Sequence, residues 1–427
     1  MDFNIEQSNL TRVVIVGGGF AGIELAKNLM NKSVQIVLID RHNYHTFQPL
    51  LYQVATGGLE PDSIAYPLRR IFRKANNFYF RMGELLKVNL QDKVIYTTTD
   101  SIHYDILVLA TGSTTNFFSL GKASNLLMPL KTIPDALDLR SFLLQNFEDA
   151  LVATDLKEKQ GLINVAIAGG GPTGVELAGA LGEMKKYVLP KDYPELDFKK
   201  MNIHLFEAAP RLLASLSEES SRKALKYLSG LEIQIWLNTP VKTYDGFNLT
   251  LNSGDILQAE TLIWTAGVRV ISPEGIPPAA LLPGGRLKVD EFNRVIGATD
   301  VFALGDMSAI ISNQFPKGHP MLAPVAIQQA RNLSKNILRK LSNQPLIQFT
   351  YKDRGTMATV GRNRAVVELK SMKFYGPVAW YIWMFVHLMS LVGFRNRVSV
   401  FFGWLYNYFT FDRALRIIIR PFQRKQI

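Results

Sequence analysis

The chain has 427 residues, 47% apolar and 20% charged, which is long enough for two or three domains and apolar enough to build their cores. It has no cysteine, which excludes disulfides, thiolate metal sites and redox-active Cys pairs; the six histidines show no H-E-x-x-H or H-x-x-E-H spacing, so no metal site is expected. The formal charge of +12 is uneven, with seven Lys/Arg and one acid in residues 395–427, and any redox chemistry has to come from a cofactor.

The N-terminal "MDFNIEQSNL" is polar and acidic and lacks the charged-then-apolar pattern of a signal peptide, so the chain is expected to stay on the side of the membrane where it is made. "RVVIVGGG" then reads as a short buried strand ended by glycines. Gly17, Gly19 and Gly22 fit G-x-G-x-x-G, and "IELAKNLMN" follows as a helix. In such a turn the first glycine allows the bend, the second lets a pyrophosphate approach the backbone, and the third lets helix and strand pack closely. The phosphates meet free N–H groups at the helix N-terminus. The next strand, "VQIVLID", ends at Asp40, 23 residues after Gly17, where a carboxylate accepts hydrogen bonds from a ribose.

"YDILVLATGS" places a strand before Ala110, Thr111 and Gly112. "INVAIAGGGPTGVELAGALGEM" repeats the first design at Gly169, Gly171 and Gly174, and its second strand ends at Glu207, 38 residues after Gly169. Two such turns serve two dinucleotides, a resident flavin and a visiting nicotinamide. Glu207 would bind a free 2′-hydroxyl and repel a 2′-phosphate, favouring NADH over NADPH, with Arg211 close enough in sequence to soften the preference. "AETLIWTAGV" leads to Ala266 and Gly267, and "ATDVFALGD" ends at Asp306. In two-dinucleotide flavoproteins such strand ends close over the cofactors.

Fourteen of the 38 residues 374–411 are Phe, Tyr or Trp. Aromatics mixed with basic residues point to a membrane interface and not to nucleic acid. "GPVAWYIWMFVHLMSLVGF" (376–394) is expected to be a helix buried against the flavin domains and not a span. If "FTFDRALRIIIR" (409–420) is helical, Arg413, Arg416 and Arg420 form one stripe opposite Phe411, Leu415 and Ile418, as in a helix lying in the membrane plane; Trp404 and Tyr406 are expected at the interface beside it.

Together with "DRHNYHTFQPLLYQVATGGLEP" (40–61), "APVAIQQARNL" and "LVGFRNRVSVFFGWLYNYFTFDRALRIIIR", these stretches make the chain resemble the type II NADH dehydrogenases, the single-subunit NADH:quinone oxidoreductases that pump no protons. The resemblance runs over residues 12–422. It implies an α/β fold with two Rossmann-like, glutathione-reductase-like domains and a C-terminal helical membrane-anchoring region. The expected boundaries are 1–155 with 290–345 for the FAD domain, 156–289 for the NADH domain and 346–427 for the anchor. It also implies bound FAD, NADH as substrate, a membrane quinone as acceptor in a respiratory chain, and a peripheral place on the cytoplasmic face of the cell membrane; a homodimer is left open. Disulfide reductases of this fold carry their Cys pair where this chain reads "TFQPLLYQV", and sulfide:quinone oxidoreductases also need cysteines, so composition excludes both.

The candidate FAD contacts are Gly17, Gly19, Phe20, Ala21, Gly22, Asp40, Arg41, Gln48, Leu85, Ala110, Thr111, Gly112, Asp306 and Ala326, with Tyr44, His45, Phe47 and Pro49 running under the flavin. Those for NADH are Gly169, Gly171, Pro172, Thr173, Gly174, Glu207, Ala266 and Gly267. Quinone takes up two protons with its two electrons, so a proton donor is expected near it. By resemblance Glu176 faces the nicotinamide–flavin junction, and Gln328 and Gln329 contact the flavin edge or the quinone; Glu183 and His45 read as structural. Many family members carry A-Q-x-A-x-Q here, but this chain has Pro324 in place of the first Gln. Two other readings stay open: a related NAD(P)H flavoprotein with a different acceptor, and an NADH-sensing flavoprotein that acts through a partner.

Overall fold

The computed structural model describes residues 3–370, 372–412, 415–419 and 422. The chain divides into two compact units, one of Met1–His45, Tyr66–Thr114 and Val268–Asp353, the other of Thr46–Ala65, Thr115–Gly267 and Arg354–Ile427.

In the first unit, apolar runs with no polar face become strands buried on both sides, and the half-buried Phe78–Met82 closes one edge beside them. The five form a parallel sheet in the order Val301–Ala303, Ile106–Leu109, Thr11–Val16, Val34–Asp40, Phe78–Met82. Successive side chains go to opposite faces. Val13, Ile15, Ile36 and Leu38 meet Leu25 and Leu29 of the Phe20–Leu29 helix and Leu333 and Ile337 of the Ala323–Leu341 helix. Val14, Val16, Val37 and Ile39 meet Val88, Ile95 and Ile102 from an antiparallel sheet of Leu85–Asn89, Val94–Thr97 and Ser101–His103. The strand order is that of a doubly wound sheet, whose carboxyl ends form the crevice where ligands bind.

The second unit holds another five-stranded parallel sheet, ordered Met128–Pro129, Thr261–Trp264, Val165–Ala168, Ile203–Phe206, Ile233–Trp236. The Pro172–Tyr187 helix follows its central strand. An antiparallel sheet of Thr356–Thr359, Ala365–Leu369 and Met372–Tyr375 leads into two helices, Gly376–Ser390 and Phe394–Thr410.

The division differs from the expected boundaries. Residues 115–155 belong to the second unit because the Ile133–Val152 helix packs there on the Leu51–Ala55 and Leu156–Ile163 helices and on Met128–Pro129. A capping box starts that helix, in which Thr132 and Asp135 each accept the other's backbone N–H. Residues 268–289 fall in the first unit, where Leu287–Val289 pairs with Ser308–Ile310. The C-terminal segment from Arg354 clusters with the second unit.

The tail also differs. Among the described residues the last helix ends at Thr410, Phe411 takes a left-handed φ of 57°, and no helix runs through 412 or 415–419. The cause is a side-chain cap. Arg362 donates to the carbonyls of Asn407 (2.5 Å) and Tyr408 (2.6 Å), and its guanidinium lies 3.4 Å from the centre of the Phe411 ring. Phe411, Leu415 and Ile418 therefore share no helix face, and Arg413 and Arg420 lie outside the described residues. Arg416 pairs with Asp192 and, at 3.0 Å, with Asp412.

Amphipathicity instead lies in the two preceding helices. The Gly376–Ser390 helix buries Gly376, Ala379 and Trp383 and exposes Val378, Tyr381, Phe385 and Met389, so only one side of this segment is covered. The Phe394–Thr410 helix buries Asn396, Val400 and Trp404 and exposes Phe394, Val398, Phe401, Phe402, Leu405 and Phe409. Tyr406 is exposed, but Trp404 is buried and donates to Gln53 Oε1 at 2.7 Å. No helix among the described residues is long and apolar enough to cross a membrane.

Candidate functional site

The first glycine turn lies at the carboxyl end of the first sheet. Gly17 has φ +112°, and a Cβ there would lie 2.2 Å from the Ala110 carbonyl oxygen; a Cβ at Gly22 would lie 1.8 Å from the Gly17 carbonyl oxygen. These two glycines are needed for the chain to close on itself. Gly19 is different, because a Cβ there would meet nothing within 4 Å. Gly19 caps the Phe20–Leu29 helix with no side-chain hydrogen bond, so open space stands before the N–H groups of the helix's first turn. Asp40 is fixed beside it, accepting Gly18 N at 2.5 Å and His42 N at 2.7 Å.

The other candidates of this unit surround the same strand ends. Ala21 is buried, Arg41 is exposed, and Leu85 starts a strand of the antiparallel sheet. Phe20 meets the His45 ring edge-on at 5.2 Å. His45 is buried with Nδ1 3.1 Å from the Gly18 carbonyl, and burial lowers its pKa to about 4, which leaves it neutral and structural. Gly112 also has open space where a Cβ would stand, and Thr111 and Ser113 donate to Met307 Sδ and Asp306. Ala326 packs under Gly305, where a Cβ would be 3.1 Å away. Gln48 opens a short turn of the second unit and is exposed.

Gln328 and Gln329 are held by backbone. Buried Gln329 Oε1 accepts Gly305 N at 2.7 Å and Ser308 Oγ at 3.0 Å, which fixes the turn carrying Asp306. Gln328 donates to the Lys352 carbonyl and accepts Lys352 N, at 2.9 and 3.0 Å. Their amides thus have protein partners where ligand contacts were expected. Pro324 sits in the first turn of the Ala323–Leu341 helix, where a missing N–H costs nothing.

The second turn repeats the first down to its carboxylate. A Cβ at Gly174 would lie 1.9 Å from the Gly169 carbonyl oxygen, whereas Gly171 faces open space and caps the Pro172–Tyr187 helix. Pro172 and Thr173 are exposed at that mouth, beside the ends of Thr261–Trp264, where Ala266 and Gly267 follow. Glu207 accepts Gly170 N at 2.6 Å and Ala209 N at 2.7 Å. Arg211 turns away from the role expected for it, because its guanidinium donates to the carbonyls of Leu216 and Ala214 at 2.8 and 2.9 Å. Both turns present what a dinucleotide needs, a Cβ-free cradle at a helix N-terminus with a fixed strand-end carboxylate.

Glu176 stands in the first turns of the same helix and is buried. It lines a cavity of about 110 Å³ with Tyr52, Gln53, Thr359, Trp380 and Trp383. Oε1 accepts Trp383 Nε1 at 3.1 Å and Thr359 N at 3.3 Å. Burial pushes its pKa up from 4.5 to about 8, and the two hydrogen bonds pull the other way, so the carboxyl holds a proton at neutral pH. Stability from this group is fully present below pH 4.5 and is lost as the pH rises through about 8. Glu183, two turns along, accepts Arg362 N and holds the turn after Thr359, as expected of a structural partner.

The sequence reading missed Thr359, Trp380 and Trp383 as neighbours of Glu176. A signal existed: Ala379, Trp383 and His387 are spaced i, i+4, i+8, one stripe of a helix, but the aromatic density around them points to an interface.

A family model described as pyridine nucleotide-disulphide oxidoreductase matches residues 11–330, and one described as NDH2 C-terminal domain matches 354–413. The type II NADH:quinone oxidoreductases Ndh and NdhA of Mycobacterium tuberculosis are 32% and 34% identical, over 94% and 92% of this chain and 89% and 86% of their own lengths. The structure of NDH2 from Plasmodium falciparum in complex with NADH superposes with a TM-score of 0.87 at 22% identity, covering 96% of this chain and 100% of that one. The sulfide:quinone oxidoreductase of Aquifex aeolicus follows at 0.72 and 20%, covering 93% and 95%. At these identities the structural likeness is one of fold. Sequence identity and the two family matches carry the assignment, and the chain belongs to the type II NADH:quinone oxidoreductases.

Proposed function

We propose that this protein binds FAD at the first glycine turn, takes NADH at the second, and reduces a membrane quinone: NADH + H⁺ + quinone gives NAD⁺ + quinol. The observation that carries this reading is the duplicated cradle, with Gly19 beside Asp40 on one sheet and Gly171 beside Glu207 on the other. Bound FAD supplies the two-electron relay between hydride donor and quinone. Gly17–Gly22 and Asp40 would hold its pyrophosphate and ribose, and the pinned Gly305–Asp306 turn its ribityl chain. Glu176 gives a proton to the quinone and regains it from solvent; both hydrogen bonds go to Oε1, which leaves Oε2 to carry that proton.

The exposed apolar stripes of the two C-terminal helices rest on the membrane where the quinone resides, on the cytoplasmic face. Anaerobic titration with NADH should bleach the flavin absorbance stoichiometrically, and a short-tailed quinone should restore it. Bleaching without recovery would favour a different acceptor, and absence of bleaching would reject the reading.

The nicotinamide preference follows from Glu207. A 2′-phosphate would meet its fixed carboxylate, and Arg211 is engaged elsewhere. NADH should exceed NADPH in kcat/KM by roughly tenfold to a hundredfold, about 1.4 to 2.8 kcal/mol. Glu207→Gln should narrow the gap mainly by improving NADPH. Steady-state kinetics with both nucleotides checks this, and equal constants in the parent protein would reject it.

A further inference from the structure

We propose that Trp383 is a positioning residue for Glu176: its indole N–H fixes the orientation of the carboxyl and sets how readily it releases its proton. The proposal rests on the reading of Glu176 as proton donor. A buried indole N–H needs an acceptor. Trp383 is 2% exposed, and its Nε1 reaches Glu176 Oε1 at 3.1 Å. The ring is held by stacking on His387, with centroids 4.1 Å apart, and by Trp404 at 5.8 Å. His387 is anchored by Nδ1 2.8 Å from the Trp383 carbonyl, and burial lowers its pKa to about 4, so it stays neutral beside the indole.

Of the two groups that hydrogen-bond Glu176 among the described residues, Thr359 N is backbone and belongs to a sheet strand. Among them Trp383 is therefore the one donor that a side chain supplies. A hydrogen bond to the ionised form favours ionisation, which opposes the effect of burial. The other ionisable groups lining the cavity are Tyr52 from Leu51–Ala55, Glu183 and Tyr187 from Pro172–Tyr187, Arg362 from the turn after Thr359, and Tyr408 from Phe394–Thr410. Glu183 and Arg362 are engaged with the turn and with the end of the last helix.

The Trp383 helix is also the one whose opposite side exposes Val378, Tyr381 and Phe385. One short helix thus joins the outer apolar face to the proton-bearing carboxyl.

The test combines two readouts on FAD-loaded protein. In ¹⁵N-tryptophan-labelled protein, which has five tryptophans, the indole resonance missing from Trp383→Phe should titrate near pH 8 and should cease to titrate in Glu176→Gln. In quinone-dependent turnover, Trp383→Phe should move the alkaline limb of the pH profile upward by about one unit, since the lost hydrogen bond favoured the ionised carboxyl. Trp383→His, which keeps an N–H donor, should restore part of the shift. General damage to the fold lowers the rate without moving a limb upward.

If the assigned Trp383 indole does not titrate between pH 6.5 and 9.5, or, where the Phe variant does not fold, if none of the five indoles titrates there, the proposal is wrong. An unmoved limb in Trp383→Phe, with the limb lost in Glu176→Gln, also overturns it. A limb that survives in Glu176→Gln while the indole still titrates in the parent refutes the proton-donor reading instead, and leaves Trp383 as the partner of a carboxyl with no part in turnover.

Discussion

Gly19→Val should yield folded protein that has lost most of its yellow colour. Gly19 has φ −78° and ψ −164°, an extended conformation open to any residue, and a Cβ there meets no protein atom within 4 Å. The substitution therefore costs the free protein little. It fills the space in front of the first-turn N–H groups, where the pyrophosphate is proposed to sit. Overpacking of this kind costs about 1–3 kcal/mol, or roughly tenfold to a hundredfold in FAD affinity. Flavin absorbance relative to protein absorbance, measured after gel filtration and again with added FAD, reads the effect. Gly22→Val is the contrasting control. Its Cβ would stand 1.8 Å from the Gly17 carbonyl oxygen, so the turn cannot close and the variant should fail to fold. A Gly19→Val protein that keeps a full complement of FAD would show that this turn does not cradle the cofactor.

The turns, the strands and the carboxylates were legible because each is local. A β-branched run, a glycine spacing and a strand-end acid are set within about 40 residues and obey the same physics wherever they occur. Asp40 and Glu207 were readable for that reason, and each accepts the backbone N–H of the residue after the first glycine of its turn. The surroundings of Glu176 were not readable, because Thr359 and Trp383 reach it across 183 and 207 residues of sequence. Gln328 and Gln329 are harder to read for a related reason. A glutamine at a helix start is equally able to face a ligand or to tie down a neighbouring loop, and here Gly305, Ser308 and Lys352 claim both. The tail misled through periodicity. Residues 409–420 have helical spacing, but the Arg362 cap on Asn407 and Tyr408 stops the helix first.

That correction moves the expected membrane contact from charge to apolar surface. Phe385, Phe394, Phe402 and Phe409 are between 60% and 81% exposed, and the last three lie on one side of the Phe394–Thr410 helix, at spacings i, i+8 and i+15. Sinking each exposed ring into the interface is worth about 1 kcal/mol. Replacing all four by Gln should then weaken partitioning onto vesicles by about 4 kcal/mol, roughly a thousandfold. Arg416→Gln is the complementary variant. It removes the pairs with Asp192 and Asp412, so it should lower the melting temperature and leave partitioning near that of the parent.

Vesicle flotation at 0.1 M and 1 M salt separates the two origins of binding. Apolar contact persists at high salt, whereas attraction between basic residues and anionic lipid is screened over about 3 Å at 1 M. The four-Phe variant should still reduce a short, water-soluble quinone at the parent rate and lose activity with a long-tailed quinone held in vesicles. If it floats with the vesicles as the parent does, or if the parent is released by salt alone, the apolar stripes are not the anchor and the basic residues of the tail regain that role.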